Sequence, residues 1–140
     1  MALKVTKADV WAATVEDRAG GVADKLEALS KGGANLEMLL ARRTDEAGKG
    51  VMFVTPLKGA RTLKAAQAAG LGKPQTIHSV RIEGGDKPGL GGKIARALGD
   101  AGISFRGISA VAIGRKFVSY VAVDSAEDQA RAIAALKKLG

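Results

Sequence analysis

The sequence predicts an α+β fold made of two copies of one unit, each reading strand, helix, strand, strand, helix. Three observations carry this. Asp17, Gly20, Leu29, Gly33 and Ala41 recur as Asp86, Gly89, Leu98, Gly102 and Ala110, always 69 positions apart. A spacing near half of a 140-residue chain means a duplicated module, because a solenoid stacks three or more shorter units. In each copy, a β-forming run precedes a glycine-rich turn and apolar residues at helical spacing follow it. That order favours antiparallel sheets with helices on one face, the βαββαβ arrangement of ferredoxin-like folds.

The first copy opens with a strand over 9–15, where Val10, Trp11 and Val15 are strong β-formers. A turn over 16–21 leads to a helix whose apolar face is Val22, Leu26 and Leu29, and Gly32-Gly33 stop it. Residues 35–43 read as a second strand, 44–50 as a hairpin loop and 51–55 as a third strand ended by Pro56. An alanine-rich helix over 60–69 closes at Gly70 and Gly72. The second copy repeats this with a strand over 79–83 and a helix on Leu90, Ile94 and Leu98 that ends at Gly102. A strand over 104–113, with Gly107 as a bulge, and a strand over 117–123 flank the tight turn Gly114-Arg115-Lys116. Ser125 then caps a final helix, with Glu127 and Asp128 favouring its positive end and Ile133, Leu136 and Leu139 on its buried side.

The fold needs a fourth strand after each second helix, and the chain ends at Gly140 without one. Two segments can supply it. The expectation is a first module over 1–72 and a second over 73–140, with 75–78 closing the first sheet and 3–6 crossing over to close the second. Both alternating sets of Val51-Met52-Phe53-Val54 are apolar, so the sheet face away from the helices is also expected to be covered, by the other module or by a second copy.

Composition excludes several function classes. The chain has no cysteine, which removes disulfides, thiolate catalysis and thiolate metal sites. No apolar run approaches a membrane span and the N-terminal residues carry no apolar signal region, so a cytoplasmic protein is expected. The net charge of +8 raises nucleic acid as a partner. The charge is spread, however, with 11 basic and 8 acidic residues in 1–70 and 11 and 6 in 71–140. Aromatic residues are only 4% of the chain, too few for base stacking, so nucleic acid is disfavoured.

The run Gly84-Gly85-Asp86-Lys87-Pro88-Gly89-Leu90-Gly91-Gly92-Lys93 is the richest local motif. A helix opening on such a turn leaves backbone N–H groups unpaired at its positive end, where a carboxylate or other anion can sit. It fails as a P-loop, because Leu90 follows Gly89 where lysine belongs. It fails as a dinucleotide fingerprint, because Ile94 stands where the third glycine belongs. His78 is the only histidine and has no cysteine or clustered carboxylates around it in the sequence, so no catalytic residue, metal site or cofactor is expected.

Asp-Lys-Pro-Gly-Leu at 86–90, a helix, then Ala-Gly-Ile-Ser at 101–104 resembles the signature of ACT domains. The first copy is similar through Asp17-Arg18-Ala19-Gly20 and Gly33-Ala34-Asn35-Leu36. The resemblance implies two tandem ACT-like modules that bind an amino acid or related small metabolite at module interfaces. It implies ligand-binding positions at Asp17, Arg18, Gly20, Gly21, Asn35 and Leu36, and at Asp86, Lys87, Gly89, Leu90, Ser104 and Phe105. Ala19 replaces the usual proline in the first copy, and Ser104 the usual asparagine in the second, so the two sites are unequal. The expected protein is a non-catalytic regulatory sensor, forming a homodimer and acting through an enzyme or regulator partner. Two alternatives stand beside it: a nucleic-acid-associated basic protein, and a structural assembly module that binds no ligand.

Overall fold

The computed structural model describes residues 3–139. Its compact units are Asp9–Pro74, and the segment ending at Ala8 together with the chain from Gln75 onward. The chain therefore passes between the units twice, at 8–9 and at 74–75.

The Asp9–Pro74 unit contains β2 (Trp11–Glu16), α1 (Gly21–Lys31), β3 (Met38–Arg43), β4 (Lys49–Thr55) and α2 (Ala60–Ala68). Its antiparallel sheet has the order β2-β4-β3. Ala13 and Val15 of β2 and Met52 and Val54 of β4 share one face, and there they meet Leu29 of α1 and Ala66 of α2 in a buried core. The two helices are joined at their ends, where the buried Thr62 Oγ1 donates to the Gly32 carbonyl at 2.8 Å. Satisfying that carbonyl matters, because an unpaired buried acceptor costs about 1–3 kcal/mol.

The other unit has the order β1-β5-β7-β6, all antiparallel, from β1 (Lys4–Ala8), β5 (His78–Gly85), β6 (Gly107–Ile113) and β7 (Lys116–Val123). Its helices are α3 (Leu90–Asp100) and α4 (Ala126–Lys137). Ile94 and Leu98 of α3 and Ala132 and Leu136 of α4 cover Val80, Ile82 and Val121 in the largest core, which also takes in Val5. Ser125 caps α4 by accepting the Asp128 N–H at 3.0 Å. Two buried polar side chains are spent on the sheet: Gln129 Nε2 donates to the Ser79 carbonyl at 2.7 Å and Ser119 Oγ to the Ser109 carbonyl at 2.8 Å.

The structure corrects three expectations. Residues 75–78 do not close the first sheet: 75–77 lie outside any strand, and His78 begins β5 opposite Val123. Gly72 instead bridges Ala12, exchanging N–H···O bonds of 2.8 and 2.9 Å, with Leu71 buried beside it. The physical reason is Pro74, which has no N–H to extend a ladder, so the lane stops two residues after it begins. The second strand of the first copy starts at Met38 and not at Asn35. Leu139 is 41% exposed and does not join the core under α4. At the start of β6 the Ala122 carbonyl accepts the Arg106 N–H at 2.7 Å while Gly107 stands opposite Ala122, two residues against one as in a bulge.

Leu98→Ala should lower the stability of its unit by about 2–5 kcal/mol in urea unfolding, the cost of a cavity in a closed core. Deleting residues 1–7 removes the β1 ladder and the buried Val5 together. Hydrogen exchange should then quicken along β5, and exchange unchanged from the full chain would contradict the pairing.

Candidate ligand-binding site

Both α1 and α3 are entered through a glycine in the left-handed region, Gly20 at φ 85° and Gly89 at φ 84°, and neither has a side-chain cap. Non-glycine residues adopt that conformation only with strain, so the turn residue is fixed by backbone geometry. The Gly20 carbonyl accepts the Asp24 N–H and the Gly89 carbonyl the Lys93 N–H, each at 3.0 Å. Among the described residues no backbone group pairs with the N–H of Val22 and Ala23, or of Gly91 and Gly92. These donors point out along the positive end of the helix dipole, where a carboxylate is favoured.

The one cation of the first turn, Arg18, is held by two carboxylates of the same module. Arg18 donates through Nε to Glu16 at 2.7 Å, through Nη2 to Asp24 at 2.8 Å and through Nη1 to the Ala19 carbonyl at 3.2 Å. The hydrogen bond from Arg18 and its charge hold the Glu16 carboxyl below the ordinary carboxylate range. Asp17 is tied to the β3–β4 hairpin, its N–H donating to Gly48 O at 3.0 Å and its carboxylate 2.9 Å from Arg43 Nε. Gly21 is buried, and a Cβ there would stand 2.4 Å from the Glu16 carbonyl oxygen, so the strand passes too close for any side chain.

The second turn is open and basic. The 69-residue offset replaces Glu16 by Gly85, Arg18 by Lys87 and Asp24 by Lys93. The Asp86 N–H donates to Arg115 O at 2.8 Å, and its carboxylate has no ion-pair partner among the described residues. Asp86, Lys87 and Gly89 are all exposed, whereas the Leu90 side chain is in the core and its N–H donates to Lys87 O.

Asn35 and Ser104 lie at the far ends of the helices from these turns. Asn35 is exposed beside a hollow of about 240 Å³ lined by Gly33, Glu37, Pro56 and Lys58, and Leu36 packs against the core next to it. Ser104 is exposed at a hollow of about 420 Å³ formed with Ala95, Gly99 and Gly102, and Phe105 packs on its core. Each helix has eleven residues, so about 16 Å of helix separates turn from loop within a module. The structure thus brings Asp17, Arg18, Gly20 and Gly21 together, and Asp86, Lys87 and Gly89 together, but neither group reaches the asparagine or serine of its own module. Sequence reading alone missed the Arg18 clamp and the exchange of Asp24 for Lys93 between the two turns. The repeat offset held the signal, since it aligns Asp24 with Lys93.

The ACT domain family model matches residues 78–140. Those residues form an ACT domain. No curated protein sequence is significantly similar to the chain. A Bacteroides thetaiotaomicron protein superimposes with a TM-score of 0.78 at 17% identity, covering 96% of this chain and 90% of its own. The regulatory subunit of aspartate kinase from Thermus thermophilus, in its ligand-free form, gives 0.68 at 17% identity over 99% of this chain and 96% of that one. The corresponding Thermus flavus subunit gives 0.63 at 17% over the same shares. The likeness spans both modules, so the Asp9–Pro74 unit shares the fold of its ACT domain companion.

Gly21→Ala should destabilise its unit by about 1–3 kcal/mol, because backbone must give way. Gly91→Ala in the ACT domain meets no atom within 4 Å and should be neutral or stabilising by up to about 1 kcal/mol. Urea unfolding of both variants checks the contrast. Arg18→Gln should raise the Glu16 carboxyl pKa toward its ordinary value, read by NMR titration.

Proposed function

We propose that the protein is a non-catalytic regulatory sensor that binds an amino acid, or a related small metabolite, where the glycine turn of one module faces the post-helix loop of another. The observation that carries this is the open turn of the ACT domain. It presents unpaired N–H groups at Gly91 and Gly92, flanked by exposed Asp86 and Lys87. A zwitterion needs donors for its carboxylate and an acceptor for its ammonium, and the turn offers both within a few residues. The exposed amide of Asn35 and the hydroxyl of Ser104 supply the remaining contacts from a facing module. Because a module's own turn and loop are a helix apart, a second module, in this chain or in a second copy as a homodimer, completes the site.

The first turn is the weaker acceptor in this reading, since Glu16 and Asp24 already neutralise its only cation. The similarity to regulatory subunits of aspartate kinase supports an output through an enzyme partner. Among the described residues no cluster of acidic or histidine side chains could hold a metal, and no helix is long and apolar enough to cross a membrane. The reading assigns the protein to the cytoplasm, where its ligand pool lies.

A thermal-unfolding panel of the twenty amino acids tests this. A ligand at a hundredfold excess over Kd should add about 2.7 kcal/mol of stability. Gly89→Val should abolish that increment, and Gly20→Val should reduce it less. A silent panel, or an increment that survives Gly89→Val, would overturn the assignment.

A further inference from the structure

β1 is a lightly anchored strand. It has five residues, pairs with β5 alone, and buries only Val5 among its side chains. Lys4, Thr6 and Lys7 are exposed. Its partner is also distant in sequence. Between Ala8 and His78, where β5 begins, the chain builds the whole Asp9–Pro74 unit. The ease with which β1 finds β5 therefore depends on how that unit holds its own two ends.

The ends are held together. Ala12 and Gly72 exchange N–H···O bonds of 2.8 and 2.9 Å, and Leu71 is buried beside them. The buried Thr55 Oγ1 donates to the Asp9 carbonyl at 2.7 Å, which ties the first residue of the unit to β4. Lys73 Nζ lies 3.4 Å from an Asp9 carboxylate oxygen, an exposed pair that adds little. With the unit folded, β1 has to close a loop of about ten residues, 9–12 and 72–77. With it unfolded, the loop is the whole of 9–77, about seven times longer. Closure falls as the 3/2 power of loop length, so the pairing of β1 weakens about twentyfold.

We infer that the Asp9–Pro74 unit is a clasp on the ACT domain, whose folding holds β1 in the sheet by shortening the loop β1 must close. Val5 and Ile82 stand opposite each other in the core, so the clasp also decides whether that side of the core is covered. The coupling is reciprocal, since docked β1 favours the folded unit by the same factor. Anything that binds only the folded unit, or loosens it, is thereby felt at β1. This inference does not depend on the metabolite reading.

Leu29→Ala loosens the clasp without touching β1 or β5, since Leu29 lies in the core of the Asp9–Pro74 unit. Hydrogen exchange is followed at a urea concentration that melts the β2–β4 ladder in this variant and leaves it intact in the unsubstituted chain. The β1 amides bonded to β5 should then exchange about twentyfold faster in the variant, while the β6–β7 ladder stays protected. A second variant keeps the clasp folded and lengthens the loop. It carries about twenty glycine and serine residues inserted between Gln75 and Thr76, both exposed. It should quicken the same β1 amides about fivefold, with the β2–β4 ladder as protected as before. Unchanged β1 exchange in either variant would overturn the inference. So would loss of β6–β7 protection together with that of β2–β4, which means that the units melt as one body.

Discussion

The length of one helix governs how this protein can use its glycine turns. α1 and α3 are each eleven residues long, fixed at one end by a left-handed glycine and at the other by Gly33 or Gly102, also at positive φ. Leu29 and Leu98, near the C-terminal ends, are fully buried and pin the helices to their sheets. Turn and loop are therefore held about 16 Å apart by rigid backbone. No side-chain rearrangement within a module closes that gap. A ligand the size of an amino acid can touch a turn and a loop together only if they come from different modules, which ties binding to assembly. In such a protein a ligand acts by favouring the arrangement in which it has both sets of contacts.

The two modules share the left-handed glycine turn and the eleven-residue helix that follows it, and differ in electrostatics. In the first, Arg18 is spent on Glu16 and Asp24, both exposed, so the helix terminus faces a cluster of net negative charge. In the second, glycine and two lysines occupy those positions. Each surface ion pair is worth less than about 1 kcal/mol to stability, so these pairs cost or gain the fold little. Their effect is on which anion the turn can attract.

Much of this was legible in the sequence, because the relevant signals are local or periodic. The constant offset revealed the duplication, helical spacing on Leu90, Ile94 and Leu98 revealed the core face of α3, and Ser125 announced its cap. What failed depended on distant partners. Residues 75–78 have β-like character, yet Gly72 reaches Ala12 first and Pro74 ends the lane. Leu139 fits the period of α4, but the helix ends at Lys137 and the side chain is left 41% exposed. The twelve expected site residues were found near helix ends by motif, while the separation between Asp17 and Asn35 emerges only from the rigidity of the helix between them. The Arg18 clamp joins residues two and six positions away across a turn, a contact that propensity and periodicity do not encode.

The most direct measurement is a crystal structure of the chain with the amino acid that stabilises it best. The account predicts a ligand carboxylate on the N–H groups of Gly91 and Gly92, with Asn35 or Ser104 of a different module closing over the same molecule. A ligand held wholly within one module would contradict it.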